Sequence, residues 1–337
     1  MNPAFISVVV PVLNEARALE PLLARLCPVL ERLGDWEVVF VDDGSTDGTL
    51  ELIRAMNRSD PRIRAVALSR NFGKEIAIAA GLRYARGDAV VIMDADLQHP
   101  PEVIEVFEAK WRAGYQVVYG ERLERAHEGR VRRFLSRAFY RTFNALSKCE
   151  IPEGAGDFRL LDRRAVDAMN ALGERSRFNK GLFSWIGFRS IGVPYVVADR
   201  VHGSSRWNFR SLVRFALDGI TSFTTIPLRV WSLLGLALSF TAFVSALAFL
   251  IQALVYGVDA PGFPSLIISV MIFSGVQLIS LGVLGEYLGR VYEEVKARPL
   301  FIVAEEIGTP GAAEAKPATD RRKPAVAAES EVVGGGR

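Results

Sequence analysis

Three short acidic clusters each follow an apolar run: Pro11-Val12-Leu13-Asn14-Glu15, Val41-Asp42-Asp43-Gly44-Ser45-Thr46-Asp47-Gly48-Thr49, and Met93-Asp94-Ala95-Asp96-Leu97-Gln98. Carboxylates in such places have two chemical uses. Asp42 is suited to accept hydrogen bonds from a base or ribose, as acidic residues do in other open α/β folds. Asp94 and Asp96 stand two apart around a small residue, and just past a strand both can face one hard cation. Magnesium or manganese takes oxygen ligands and a substrate diphosphate to complete its shell, and it neutralises charge on a diphosphate leaving group. Gln98 can add a carbonyl oxygen. Alone, each cluster is ordinary, since a lone Asp-x-Asp is usually a solvated turn and Asp-Gly-Ser is common turn chemistry. Their order on successive elements carries the weight.

Those elements read as strand–helix repeats. Strands are predicted over 5–12, 36–42, 63–68, 88–93 and 115–119, all rich in β-branched residues. Helices are predicted over 14–33, with Asn14 as its N-cap, and over 46–57, 74–85 and 101–113. Such alternation predicts an α/β fold: a mostly parallel sheet with helices on both faces. Ligands of these sheets bind at the carboxyl ends of the strands, where the clusters fall.

Composition removes other classes. A net charge of +3 is too small to indicate nucleic acid. Cys27 and Cys149 form no CxxC pair, and His99, His127 and His202 make no zinc spacing. No GxGxxG follows the first strand, and no P-loop occurs. Residues 1–5 carry no basic run, so no cleaved leader is expected. Residues 230–258 and 260–285 hold no charged residue, with Asp259 between them. Each run exceeds the roughly 20 residues needed to span hydrocarbon, and 257–264 is a turn by composition. A transmembrane hairpin is expected, with helices over about 230–256 and 264–286; a buried core hairpin is the alternative. Arg210, Arg214 and Arg229 precede it, and Arg290, Lys296 and Arg298 follow it. Positive flanks stay inside, so the large domain and both termini are expected to be cytoplasmic. Residues 208–228 suit a helix in the bilayer interface, or else an ordinary core helix. Residues 309–337 read as a disordered tail.

The order VPVLNE, VDDGSTDGT, SRNFGKE, DADLQHPPE resembles the inverting, GT-A-type glycosyltransferases of family 2. Gly156-Asp157-Phe158-Arg159-Leu160 and Arg200…Gly203-Ser204-Ser205-Arg206-Trp207, followed by the hairpin, are similar to the polyprenyl-phosphate branch. That branch includes dolichol-phosphate mannose synthases and the bacterial undecaprenyl-phosphate glucosyltransferases of O-antigen modification. The resemblance spans about residues 5–305. It implies a catalytic domain over 1–207, the hairpin within 229–289, and a juxtamembrane segment over 290–308. The reaction it implies is transfer of a hexose, UDP-glucose being the first-choice donor and mannose, N-acetylglucosamine or a modified arabinose the alternative sugars, to polyprenyl (undecaprenyl) phosphate at the cytoplasmic face of the inner membrane. A homo-oligomer and Mg2+ or Mn2+ are implied with it. By position, Pro11, Glu15 and Asp42 would hold the nucleoside, and Arg70, Lys74 and Asp94 would lie at the donor. Asp94, Asp96 and Gln98 would surround the metal. Arg122, Arg133, Arg200 and Ser205 would serve the acceptor phosphate, and Asp157 matches the acidic residue often proposed as base, so that Asp157, Asp96 and Arg200 would carry catalysis.

Each role has a plain alternative. Arg70 and Lys74 also suit a helix N-terminus, and Asp157 also suits a turn or a pair with Arg159. The cluster Arg130, Arg132, Arg133, Arg137 and Arg141 faces either anionic lipid or phosphate. An acceptor phosphate with a second pKa of about 6 is already an oxyanion at neutral pH, so Asp157 is expected to orient cations or sugar rather than to remove a proton. A processive polysaccharide synthase is disfavoured because Gly203 stands where its Gln-x-x-Arg-Trp motif needs Gln. A non-catalytic scaffold or translocase is the rival from another class, although Asp94 and Asp96 are both present.

Overall fold

A computed structural model describes residues 4–123, 152, 155–175, 177–196, single positions between 231 and 255, and 262–308. The expected repeats are present. Strand β1 (Ile6–Val12), helix α1 (Ala16–Leu33), β2 (Trp36–Asp42), α2 (Thr49–Ser59), β3 (Ile63–Leu68), α3 (Lys74–Tyr84), β4 (Ala89–Ile92), α4 (Val103–Arg112) and β5 (Val117–Arg122) follow in order. Then come β6 (Ala155–Asp162), α5 (Arg163–Ala171), α6 (Asn179–Trp185), β7 (Ser190–Tyr195), α7 (Phe263–Val295) and β8 (Val303–Ile307).

The strands form one eight-stranded sheet in the order β7-β5-β6-β4-β1-β2-β3-β8. Its central strands β4, β1, β2 and β3 run parallel. Ile6, Val8 and Val10 of β1 pack with Leu22, Leu26 and Phe107 on one face, while Val9 packs with Ala77, Ile78 and Leu182 on the other. Burial on both faces is why these strands are continuous apolar runs rather than alternating ones. Helix α3 lies close on β1: a Cβ on Gly81 would run into Val9.

Two expectations about helix starts need correction. Asn14 does not cap α1, which begins at Ala16 with Glu15 at the cap position. Asn14 takes a left-handed backbone (φ 57), and its Oδ1 accepts the N–H of Thr46 at 2.8 Å. It ties the β1–α1 loop to the β2–α2 loop instead. Helix α2 begins at Thr49 rather than Thr46, because Asp47 Oδ1 accepts the Thr49 N–H at 3.0 Å.

Strand β6 is the element the repeats did not foretell. It inserts between β4 and β5, antiparallel to both. Its register pairs Ile92 with Arg159; two residues on, that register brings Asp94 opposite Asp157. The segment after α7 also joins the sheet, since β8 pairs antiparallel with β3 and Glu305 forms an ion pair with Arg54 at 2.6 Å.

At about 1.5 Å per residue, the 33 residues of α7 reach roughly 50 Å. Among the described residues, one helical stretch is long and apolar enough to cross a membrane: Ile272–Val295, with mean hydropathy 1.3 and no part buried. The described positions between Trp231 and Val255 are also helical, with Leu233, Leu236 and Phe240 exposed. Of the expected turn at 257–264, residues 257–261 lie outside the described residues, and α7 already begins at Phe263. The expected interfacial helix at 208–228 and the tail from 309 also lie outside them. The end of α7 is fixed to the sheet domain by Arg175, whose Nη1 donates to Glu294 O at 3.0 Å and whose Nε donates to Arg298 O at 2.8 Å.

Candidate active site

The carboxyl edge of the central strands gathers the acidic residues. Asp42 ends β2 and is buried; its Oδ1 accepts the Ser45 N–H at 3.2 Å. Pro11 is half-buried in β1, and Glu15 is half-buried just beyond it. Asp43 has a different task. Its two oxygens accept the N–H groups of Phe72 and Gly73 at 2.7 and 2.9 Å, which pins the loop before α3. Gly44 makes that approach possible: its φ is +80, and a Cβ would sit 2.8 Å from the Arg70 carbonyl carbon.

The pinned loop delivers Lys74, the first residue of α3. Its Nζ lies 2.6 Å from Asp94 Oδ1 and 2.8 Å from Asp94 Oδ2. The same Nζ lies 2.8 Å from Asp157 Oδ2. Lys180, on α6, approaches the other oxygen of Asp157 at 4.0 Å. Helix α6 is held there by α3, since the Asn179 N–H donates to Glu75 Oε2 and its Nδ2 donates to Glu75 O, both at 2.9 Å. Burial alone would push the Asp157 carboxyl up, but Lys74, Lys180 and Arg159 outweigh it and hold the group far below the usual carboxylate range. Burial likewise opposes ionisation of Asp94, and the Lys74 ammonium reverses it, leaving that carboxyl low as well.

The donor set suits a hard cation. Asp94 and Asp96 offer carboxylate oxygens at one strand end, and Asp96 Oδ1 accepts the Gln98 N–H at 3.1 Å, which fixes the turn between them. No group of three or more His, Cys, Asp or Glu is poised around one point among the described residues. A magnesium-type site does not need one, because substrate phosphates and water fill its remaining positions.

The sequence comparisons agree with this geometry. Residues 7–169 match the family described as Glycosyl transferase family 2. The SfII prophage-derived bactoprenol glucosyl transferase of Shigella flexneri is 45% identical over 300 residues, 88% of this chain and 97% of that protein. The chain belongs to glycosyl transferase family 2. An uncharacterized glycosyltransferase of Synechocystis sp. is 48% identical over 301 residues, 89% of this chain and 95% of that one. Among solved structures, glucosyl-3-phosphoglycerate synthase from Mycobacterium tuberculosis, in complex with Mn2+ and uridine-diphosphate-glucose, matches at 22% identity with a TM-score of 0.43, covering 65% of this chain and 77% of that chain.

Within this family 2 transferase, Asp94, Lys74 and Asp157 meet directly. Arg122, at the end of β5, is within electrostatic reach of Asp94 and Asp96. Arg70 stands apart: it is exposed and stacks over the Phe72 ring at 4.3 Å. Arg133, Arg200 and Ser205 lie outside the described residues, as do Arg130, Arg132, Arg137 and Arg141.

Three residues beside this cluster were given no role by the sequence, although His99 and Glu75 stand inside the motifs DADLQHPPE and SRNFGKE. Lys180 lies 23 positions after Asp157 in an unremarkable stretch. His99 is buried; its Nδ1 accepts the Asp94 N–H at 3.2 Å and its ring stacks on Phe158 at 4.9 Å. Burial holds its pKa below the ordinary value, so it is a neutral prop for the Asp94 backbone.

Glu75, beside Lys74 in SRNFGKE, is the third. Burial first, then the charge of Asp157, pushes it up to about 7 from an ordinary 4.5. The folded state therefore holds that proton more tightly than the unfolded chain. The resulting stability is fully present below about pH 4.5 and is lost as pH rises through about 7. Glu75→Gln keeps an oxygen for the Asn179 N–H and removes the titration. The variant is expected to melt about 2–4 °C above wild type at pH 8 and level with it at pH 5, on the order of 1 kcal/mol after solvent screening. Melting curves across pH 5–8 check this; equal curves at both ends rule out a titrating Glu75.

Proposed function

We propose that this transferase moves a hexose from a nucleotide-sugar to polyprenyl phosphate at the cytoplasmic membrane face, with UDP-glucose as first-choice donor and undecaprenyl phosphate as acceptor. The observation that carries the reading is the coexistence in one chain of a charged catalytic edge and an exposed apolar helix whose end is clamped to the same domain by Arg175. Relatives named bactoprenol glucosyl transferase, at 45% identity over nearly their whole length, support it. A polyprenyl tail stays in the bilayer, since each CH₂ brought into water costs about 0.8 kcal/mol, so the active edge must meet the headgroup there.

In this reading an acceptor phosphate oxygen attacks the anomeric carbon, and the nucleoside diphosphate leaves with inversion. Pro11, Glu15 and Asp42 hold the nucleoside, and Arg70, Lys74 and Asp94 face the donor. Asp94, Asp96 and Gln98 would hold Mg2+ or Mn2+, which supplies charge neutralisation at the leaving diphosphate when bound. Arg122, Arg133, Arg200 and Ser205 bind the acceptor phosphate. The phosphate is already ionised at neutral pH, so the site has to align it and balance its charge. Lys180 joins the residues on the acceptor side, and Asp157 spaces its ammonium from that of Lys74 on the donor side. The domain and both chain ends are assigned to the cytoplasmic side, with helices at about 230–256 and 264–286 spanning the membrane and copies of the chain assembling through them.

The test is a panel of radiolabelled nucleotide-sugars with undecaprenyl phosphate, detergent-solubilised full chain, and Mn2+ or Mg2+. Label from UDP-glucose is expected in a solvent-extractable, acid-labile product. Label from another sugar alone would replace glucose while keeping the reaction. No extractable label from any donor would favour a scaffold or translocase.

A further inference from the structure

Lys74 engages the site in an unusual way. One ammonium touches both oxygens of Asp94 and one oxygen of Asp157, at 2.6, 2.8 and 2.8 Å. An ammonium has three hydrogens, so these three contacts exhaust it. The lone pairs it holds on Asp94 are those a divalent ion would need, because Mg2+ and Mn2+ bind carboxylate oxygens at about 2.1 Å. Lys74 cannot retreat by a backbone shift: it opens α3, and Asp43 pins the Phe72 and Gly73 N–H groups just before it. Lys180, beside Asp157, adds a further positive charge, and the N-terminus of the 11-residue α3 adds a partial one. A bare divalent ion on Asp94 would raise the local positive charge while leaving the negative charge unchanged. A nucleoside diphosphate brings the missing negative charge, and the four-carbon Lys74 stem lets its ammonium move onto a phosphate oxygen.

We propose that Lys74 is an internal counter-ion that occupies Asp94 in the donor-free protein, so that the divalent metal binds tightly only together with the nucleoside diphosphate. The proposal rests on the metal role assigned above to Asp94 and Asp96. It makes Lys74 a positioning residue that sets the order of assembly, in addition to facing the donor.

Mn2+ binding to the full chain in detergent, read from the free-Mn2+ electron paramagnetic resonance signal with and without UDP, tests it. Wild type is expected to bind Mn2+ at least about tenfold more tightly with UDP than without, the scale of one close opposite charge. Lys74→Met is expected to bind Mn2+ about tenfold more tightly than wild type in the absence of UDP, and the gain on adding UDP should shrink. Lys74→Arg, which keeps the charge, should stay weak without UDP, and Lys74→Gln gives a second neutral variant should the Met variant fold poorly. Unchanged or weaker Mn2+ binding by both neutral variants without UDP overturns the counter-ion role. If UDP-dependent binding is then still lost in Asp94→Asn, the metal assignment stands without it. No Mn2+ binding by any variant, with or without UDP, overturns both.

Discussion

Asp94→Asn is expected to lower kcat/KM for sugar transfer by about 10³-fold, with the melting temperature almost unchanged. The loss has two sources. The substitution halves the negative charge that holds Lys74, which touches both Asp94 oxygens and Asp157. It also replaces a carboxylate donor of the proposed metal site with a carboxamide, and such charge stabilisation of a leaving group contributes several kcal/mol to a transition state. Stability is largely spared because Lys74 keeps Asp157 as its partner at 2.8 Å and the Asp94 N–H bond to His99 Nδ1, at 3.2 Å, does not involve the side chain. Steady-state transfer and thermal melting measured on the same preparation check the pair. Activity above about a tenth of wild type would remove Asp94 from the chemistry, and a large fall in melting temperature would make its role structural.

Much of this site was legible because the central sheet is monotonous. Burial on both faces makes β1, β2 and β4 largely apolar runs, and their ends point to the acidic clusters. What was hidden depended on chain reversal. Asp157 meets Asp94 only because β6 enters the sheet antiparallel to β4, and no local periodicity announces which strand a distant segment will join. Lys180 is one step further removed, since its place follows from Asn179 gripping Glu75 across more than a hundred residues. Within the motifs, residue type misled in a specific way. Asn14 has the chemistry of an N-cap, but its Oδ1 was claimed by Thr46 of the neighbouring loop. Asp42 and Asp43 are indistinguishable as letters, yet Asp43 spends both oxygens on the backbone of the next loop. Strand β8 follows a largely exposed helix, and the Arg54–Glu305 and Tyr84–Glu306 contacts, with Ile307 buried in the core, tie it to the edge of β3.

Asp157→Asn discriminates between two chemistries. A general base must accept a proton near the working pH, and its loss removes about 10²–10⁴ in rate together with the pH limb it governs. Asp157 is poorly suited to that work. Lys74 sits 2.8 Å from one oxygen and Lys180 4.0 Å from the other. Against the opposing effect of burial, these cations hold the carboxyl far below the usual range. Such a carboxylate stays ionised across the accessible pH and attracts a proton weakly. The structure instead suits it to fixing two ammonium groups around an acceptor that arrives ionised. The variant is expected to lose roughly 10–100-fold in kcat, the scale of a misplaced electrostatic group. The acidic limb of its profile should remain near pH 6, where the acceptor phosphate takes up its proton. Rates from pH 5 to 9 for wild type and variant decide the matter: a profile that turns flat on the acidic side, with a loss near 10⁴, would restore the base role. A limb that persists under a lowered plateau assigns the pH dependence to the substrate, and the rate to the cations that Asp157 holds in place.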